Sequence, residues 1–446
     1  MTNSLKPQGS IRLRAWMVSL LAILGIYVSA ISNHNIAIAV FAVVVGSLLF
    51  MNTVEMYLVS FFLLPFTMIF KTSTGGSSLF TYLVIIVACA AVLRRKKIRT
   101  DVLMLIMLVA IYLLFGMGDN ITVYLKLLFN VIFFYGFISS VKQTEFHSIV
   151  LALSTGTIFS GIVGLQKQTV PTIASFFTAV KTEYIDGVET VRFSGLYLDP
   201  NYFSILGIVC LFGLAVYMLR SEVPKTVALI LGVSLSVFGC MTLSKVFYIS
   251  LVLGVVFLLI IYSKVSRNVF KPLITALVLG GVAYYFAHKS GIIDQIVFRF
   301  SAEDISNNRF NIWSDYIAYI QENVNILMFG AGINAELIGG NGAHNFYIEM
   351  AYYLGIVGSA LYVLLYSVLL FSRTLIAKRK LINYSLLVVV LVMYATLGTL
   401  FMNDFAFVLL MVWMMLNTDM EHGKKNFDEK MEGRYFEKNI AAFTSN

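Results

Sequence analysis

Apolar runs of roughly 20 residues, the length a helix needs to cross a bilayer, recur from residue 15 almost to residue 417. Short polar breaks separate them. In order they predict spans near 15–32, 36–51, 54–70, 79–93, 102–116, 121–138, 148–166, 196–219, 226–243, 246–263, 272–288, 346–371, 381–403 and 405–417. Two of these rest on parity as well as hydropathy: 54–70 is short and contains Pro65, and the run 226–263 is interrupted only at Ser244-Lys245. The pattern is that of an all-α polytopic membrane protein, about 14 transmembrane helices in a single integral membrane domain over residues 1–446.

Composition agrees. The chain is 59% hydrophobic and 12% charged, with a mean hydropathy of +0.86, which excludes a soluble domain around one core. Cys89, Cys210 and Cys240 all lie in apolar runs, so neither a disulfide framework nor a thiolate metal site is indicated. The first run follows Lys6, Arg12 and Arg14 and reads as an uncleaved signal anchor.

The basic residues set the orientation. With the spans above, 23 of the 32 Lys and Arg fall on the side of the two termini and 8 on the other, with Lys126 inside a span. Basic residues concentrate in cytoplasmic loops, so both termini are expected in the cytoplasm. The net charge of +9 is dispersed over short loops, which argues against a nucleic-acid partner.

Two long connections, 167–195 and 289–345, then lie outside, while 418–446 forms a cytoplasmic tail. Loops of that length commonly carry function. The first leads through Arg192 and Gly195 to Asp199-Pro200-Asn201, where Asp199 is a natural N-cap and Pro200 suits a first helical turn. Arg192 either pairs with Asp186 or Glu189, snorkels at the interface, or meets a ligand. The second loop carries Arg299, then Arg309 at the head of an amphipathic segment with Phe310, Trp313, Ile317 and Ile320 at helical spacing, then Gly330-Ala331-Gly332 and His344. That segment reads as a surface helix anchored by Trp313. Lys126 and Asn130, one turn apart in the sixth span, are reserve candidates, because intramembrane charge hints at function and snorkelling explains it equally well.

The stretch Gly342-Ala343-His344-Asn345-Phe346-Tyr347-Ile348-Glu349, followed by Gly355 and Gly358, resembles the His-Asn signature of the bacterial O-antigen polymerase and ligase superfamily. Arg192 with Asp199-Pro200-Asn201, the Ser244 break, Arg309 with Trp313, and Gly330-Ala331-Gly332 extend the resemblance over about Arg192 to Leu370. At Lys245 the family often has arginine, so that position receives no role. The resemblance implies a GT-C-like membrane glycosyltransferase that takes its donor and its acceptor from undecaprenyl-pyrophosphate-linked glycan in the bilayer, with a chain-length regulator as a further partner. It implies Arg192 and Arg309 on the pyrophosphate, Arg299 as a weaker candidate, and His344 as the general base. Asp199, Asn201, Asn345 and Glu349 complete the substrate-binding set. Arginine's fork matches phosphate oxygens, and a neutral imidazole accepts a hydroxyl proton. No carboxylate cluster suggests a metal and no cofactor is expected. The leading function is a polymerase of a surface polysaccharide, O-antigen or capsule. The alternatives are a ligase that moves finished polymer to lipid A-core or another acceptor, and a lipid-linked oligosaccharide flippase or other secondary transporter.

Topology is the first thing to test. Reporters fused within 300–340 are expected to report the outer side, and fusions at 94–99, 372–380 and after 418 the cytoplasm. A cytoplasmic signal from 300–340 overturns the site together with the topology.

Overall fold

The computed structural model describes residues 13–32, 35–71, 78–95, 99–116, 121–167, 180–185, 188–197, 199–219, 225–265, 285, 288–289, 291–301, 308–371, 384–398, 400 and 404–417. Thirteen of the fourteen expected spans coincide with a helix. They are α1 (Leu13–Ile31), α2 (Asn35–Leu48), α3 (Thr53–Leu63), α4 (Phe80–Leu93), α5 (Thr100–Phe115), α6 (Ile121–Ser140), α7 (Phe146–Lys167), α8 (Pro200–Leu219), α9 (Lys225–Met241), α10 (Lys245–Val265), α14 (Phe346–Phe371), α15 (Ser385–Tyr394) and α16 (Asp404–Leu416). The span 272–288 lies almost wholly outside the described residues. By length and hydropathy, five of these helices (α1, α6, α7, α8 and α14) suffice to cross a bilayer, and seven supply shorter apolar stretches of 10–17 residues, Lys245–Phe257 of α10 among them.

Side-chain contacts sort the helix ends into two groups. At one end Arg14 donates to the Phe50 carbonyl (3.2 Å) and Arg94 to that of Met51 (2.6 Å), while Arg95 reaches the Tyr135 hydroxyl (3.1 Å) and the Ser139 carbonyl (3.0 Å). The start of α1, the α2–α3 and α4–α5 turns and the end of α6 therefore share one face. The opposite face gathers Gly116, the segment after Phe193, the α9–α10 turn and the approach to α14, as described below. This is the alternation that successive antiparallel spans require.

The core is centred on α16. Every side chain from Phe405 to Leu416 is buried. Phe407 packs on Phe61 (4.8 Å between centroids), Phe80 (5.8 Å) and Phe133 (4.8 Å), and Trp413 on Phe137 (6.1 Å). The Tyr57 hydroxyl donates to the Phe133 carbonyl at 3.0 Å, satisfying a polar atom that no water reaches. Conversely α1 leaves Leu13, Leu21 and Leu24 exposed, as a lipid-facing helix must.

Local chemistry explains the ends. Asn52 and Glu55 form a reciprocal capping box at α3 (2.9 and 3.0 Å). Pro65 stops that helix, which tightens into a 3-10 turn over Leu64–Phe66. Ser160 of α7 donates to the Pro65 carbonyl (2.8 Å) and accepts the Leu196 N–H (2.9 Å), so one hydroxyl ties the broken end of α3 to the entry of α8.

Three features depart from the sequence reading. Loop 167–195 contains an antiparallel hairpin, β1 (Val180–Ile185) with β2 (Val188–Phe193), in which Lys181 faces Arg192. Its signal was Asp186-Gly187 between β-prone runs, overlooked because the loop was read only for charge. The span placed at 381–403 has its helix end at Tyr394, nine residues early. Loop 289–345 carries α11 (Ile292–Ser301), α12 (Arg309–Glu322) and α13 (Val324–Phe329). The expected amphipathic helix is α12, which buries Tyr316 and Ile320 in protein and leaves Phe310 and Ile317 of its apolar stripe outward.

At Gly156 of α7 an added Cβ would overlap the Phe62 carbonyl, whereas at Gly46 of α2 it would meet nothing within 4 Å. Gly156→Val is therefore expected to destabilise the purified protein by about 3 kcal/mol, and Gly46→Val to leave its thermal midpoint unchanged. Equal losses at the two sites in a thermal-shift assay would mean that helix propensity, not close packing of α3 on α7, sets the effect.

Candidate functional site

The entry to α8 is built as its residue types dictate. Asp199 Oδ1 accepts the Asn201 N–H at 2.8 Å and Pro200 occupies the first helical position. That geometry aims Asn201 at β2. Arg192, only 3% exposed, donates through Nη2 to Asn201 Oδ1 (2.6 Å) and through Nε to the Thr242 carbonyl (3.1 Å). Ser244 donates to the same Asn201 oxygen at 2.9 Å. The residues Arg192, Asp199 and Asn201 are thus one cluster, and the helix N-termini of α8 and α10 meet at it. Such termini present a partial positive charge.

Arg299 closes one side. It is 4% exposed, and Phe300 next to it packs its ring against Tyr248 of α10 at 6.4 Å. The charges of Arg192 and Arg299 both act on the Tyr248 hydroxyl, so the two guanidinium groups share one neighbourhood.

A second cluster forms where α15 unwinds. Arg309 Nη1 donates to the Thr396 carbonyl at 2.7 Å. Glu349, in the first turn of α14, accepts the Leu400 N–H, and its carboxylate lies so close to Gly398 that any Cβ there would overlap it. The Tyr202 hydroxyl donates to the Gly398 carbonyl. Because Tyr202 follows Asn201, the chain of contacts Arg192–Asn201–Tyr202–Gly398 leads directly to the segment that Arg309 and Glu349 hold.

His344 stands at the rim. Its side chain is exposed and its φ is +49°, and it directly precedes Asn345, whose Oδ1 accepts the N–H groups of Tyr347 (2.9 Å) and Ile348 (3.3 Å). Asn345 is therefore the N-cap of α14. Trp313 Nε1 donates to the Ala343 carbonyl (2.8 Å) and the Tyr316 hydroxyl to that of Asn341 (2.8 Å), so α12 holds both Arg309 and the approach to His344. Burial raises the Tyr316 phenol above its ordinary value, which keeps it a neutral donor.

Backbone strain falls on the same turns. Among the described residues, the non-glycine positions with left-handed φ are Leu243 (+48°), Asn308 (+62°) and His344 (+49°). Each costs on the order of 1–3 kcal/mol. Each lies within two residues of a helix start, and they deliver Ser244, Arg309 and Asn345.

Below the rim an apolar groove of about 450 Å³ runs along α14 from Phe346 and Tyr347 past Tyr362 to Phe371, walled by Leu387 and Leu391 of α15 and Phe405 of α16. Its lining contains no charged residue. The arginines and His344 stand above it rather than in it.

Sequence reasoning missed Tyr202, Thr242, Thr396 and Gly398. Tyr202 was adjacent to a residue already singled out. The others contribute mainly backbone carbonyls, and the one available sign was Thr396 and Gly398 interrupting an apolar run.

Residues 227–363 match the sequence model of a family described as O-antigen ligase. The match spans under a third of the chain and takes in Ser244, Arg299, Arg309, His344, Asn345 and Glu349. Arg192 and Asn201 lie before it. No curated protein matches the chain.

Asn201→Leu keeps the branched shape and removes the oxygen on which Arg192 and Ser244 meet. Taking that acceptor from two buried donors is expected to cost about 1–3 kcal/mol, read by thermal unfolding of the purified protein. An unchanged midpoint would mean that this oxygen does not hold the cluster together.

Proposed function

We propose that this chain, whose matched segment belongs to the O-antigen polymerase and ligase superfamily, is a surface-polysaccharide polymerase. It moves the growing glycan from undecaprenyl pyrophosphate onto the next lipid-linked repeat at the outer face of the cytoplasmic membrane. The observation that carries this reading is the burial of Arg192 and Arg299 beside the N-termini of α8 and α10, linked through Tyr202 to the segment that holds Arg309. Buried guanidinium groups and helix N-termini together favour a dianionic group. The apolar groove beginning at Phe346 supports a donor with a long hydrocarbon tail, which reaches the site from the bilayer.

The chemistry follows from those placements. The acceptor hydroxyl oxygen bonds to the anomeric carbon as the bond from that carbon to the pyrophosphate oxygen breaks. The departing oxygen takes the electron pair, and Arg192 and Arg309, with Arg299 behind them, offset the charge that develops. His344 takes the hydroxyl proton. The proton goes to a side chain and the leaving group is held by fixed cations, so the scheme needs no metal. Glu349 and the Asn345 amide orient the acceptor sugar. The family description names a ligase, and a ligase uses the same groups, differing only in its acceptor. Deleting the gene separates the two. Single repeats on the final acceptor indicate a polymerase, and polymer accumulating on the carrier indicates a ligase.

Two substitutions divide charge, geometry and base. Arg309→Lys keeps the charge and loses the planar fork, and is expected to lower both donor affinity and polymer output at unchanged membrane levels. His344→Ala is expected to leave donor binding largely intact and to abolish transfer. Wild-type polymer length in His344→Ala cells would remove the histidine from the mechanism.

A further inference from the structure

The glycines of Gly330-Ala331-Gly332, Gly355 and Gly358 have no part in the chemistry above, yet they meet in space. Helix α14 is broken at Gly355, whose φ of 62° and ψ of −173° no helix contains. The break strips carbonyls at the end of the half-helix Phe346–Leu354 of their helical partners. Ala331 N–H donates to Tyr352 (2.7 Å) and Gly332 N–H to Tyr353 (3.2 Å). The Leu354 carbonyl is taken by the hydroxyl of Tyr112 in α5 at 2.6 Å, and the same hydroxyl lies 2.8 Å from the Phe329 carbonyl, sharing its proton between the two. An added Cβ at Gly330 would overlap the Tyr353 carbonyl, and one at Gly358 would overlap the Tyr112 ring. The glycines are what let loop, half-helix and tyrosine close on one another. Ile333 N–H then donates to the Gly116 carbonyl just beyond α5 (2.8 Å), so both attachments run to the same helix.

The half-helix carries His344 and Asn345 at its head and Glu349 on its first turn. The helical backbone geometry is interrupted at Gly355, and across the break Ser359 donates to the Met350 carbonyl at 3.0 Å. We infer that Tyr112 is a positioning residue for glycan transfer: its single hydroxyl, bridging Phe329 and Leu354, sets the tilt of Phe346–Leu354 and so the place of His344 and Glu349 at the site. The inference rests on the transfer reading above. It also assigns a task in that reaction to a helix outside residues 227–363.

The test uses Tyr112→Phe, which keeps the ring against Gly358 and removes the hydroxyl, with its bonds to the Phe329 and Leu354 carbonyls and to the Gly358 N–H. Full-length protein is purified and supplied with lipid-linked repeats extracted from a strain deleted for this gene. Turnover is expected to fall about tenfold, while KM for the donor stays within twofold and the thermal midpoint falls no further than in Tyr57→Phe. That control loses a more deeply buried bond, to the Phe133 carbonyl, between α3 and α6, and is expected to keep wild-type turnover. Gly358→Ala, which displaces the same ring, is expected to lower turnover similarly, and the double variant to be no worse than either single one. Wild-type turnover in Tyr112→Phe, a loss that tracks the fall in midpoint equally in Tyr57→Phe, or additive losses in the double variant would overturn the assignment. Wild-type protein that forms no polymer from the same repeats would instead overturn the transfer reading.

Discussion

A backbone group inside a bilayer finds no water, so each N–H and C=O must be satisfied within the protein at a cost of several kcal/mol otherwise. That constraint organises this structure. An unbroken helix meets it automatically and offers a ligand nothing. A site therefore requires helices that stop or break, and every break releases carbonyls that need donors from elsewhere. Arg192 supplies one to Thr242, Arg309 to Thr396, Tyr202 to Gly398 and Tyr112 to Leu354. The side chains that repair the backbone are largely the ones that shape the site.

The same logic accounts for the buried arginines. An isolated guanidinium at this depth is expensive, and Arg192 gives protons to the Thr242 carbonyl and the Asn201 amide oxygen, groups that accept them without themselves carrying charge. Strain at Leu243, Asn308 and His344 serves the same end, since helices that begin abruptly bring their N-termini close to one point.

What the sequence revealed follows from which physical terms hydropathy and local motifs measure. Hydropathy marked the helices, and local signals marked their ends where one residue suffices: Asp199-Pro200 for α8, Ser244 for the α9–α10 turn, Asn345 for α14. The early end of α15 was invisible because Ala395-Thr396-Leu397 is apolar enough to continue a span, and it ends where Arg309, 87 residues away, takes the carbonyl of Thr396. The roles of Tyr202 and Tyr112 depend on partners 196 and 242 residues distant. No window reads that. The protein-facing side of α12 was not legible for a related reason: helical spacing picked out Phe310, Trp313, Ile317 and Ile320, of which Ile320 is buried, while Tyr316, packed on Tyr352, lies outside that stripe.

Broken helices also occur in secondary transporters, where unwound carbonyls coordinate the coupling ion near the bilayer midplane. The breaks here are used differently. At Gly355 the carbonyls of Tyr352, Tyr353 and Leu354 are committed to Ala331, Gly332 and Tyr112, and at the end of α15 the carbonyls of Thr396 and Gly398 are committed to Arg309 and Tyr202. Carbonyls engaged by donors this close are poor ligands for a passing cation. The positive ends that face the site belong instead to the starts of α8, α10 and α14, beside Arg192 and Arg309, and suit an anion that is held while a bond to it breaks. With their carbonyls already engaged, the breaks do not supply the ion ligands on which a coupled transporter relies.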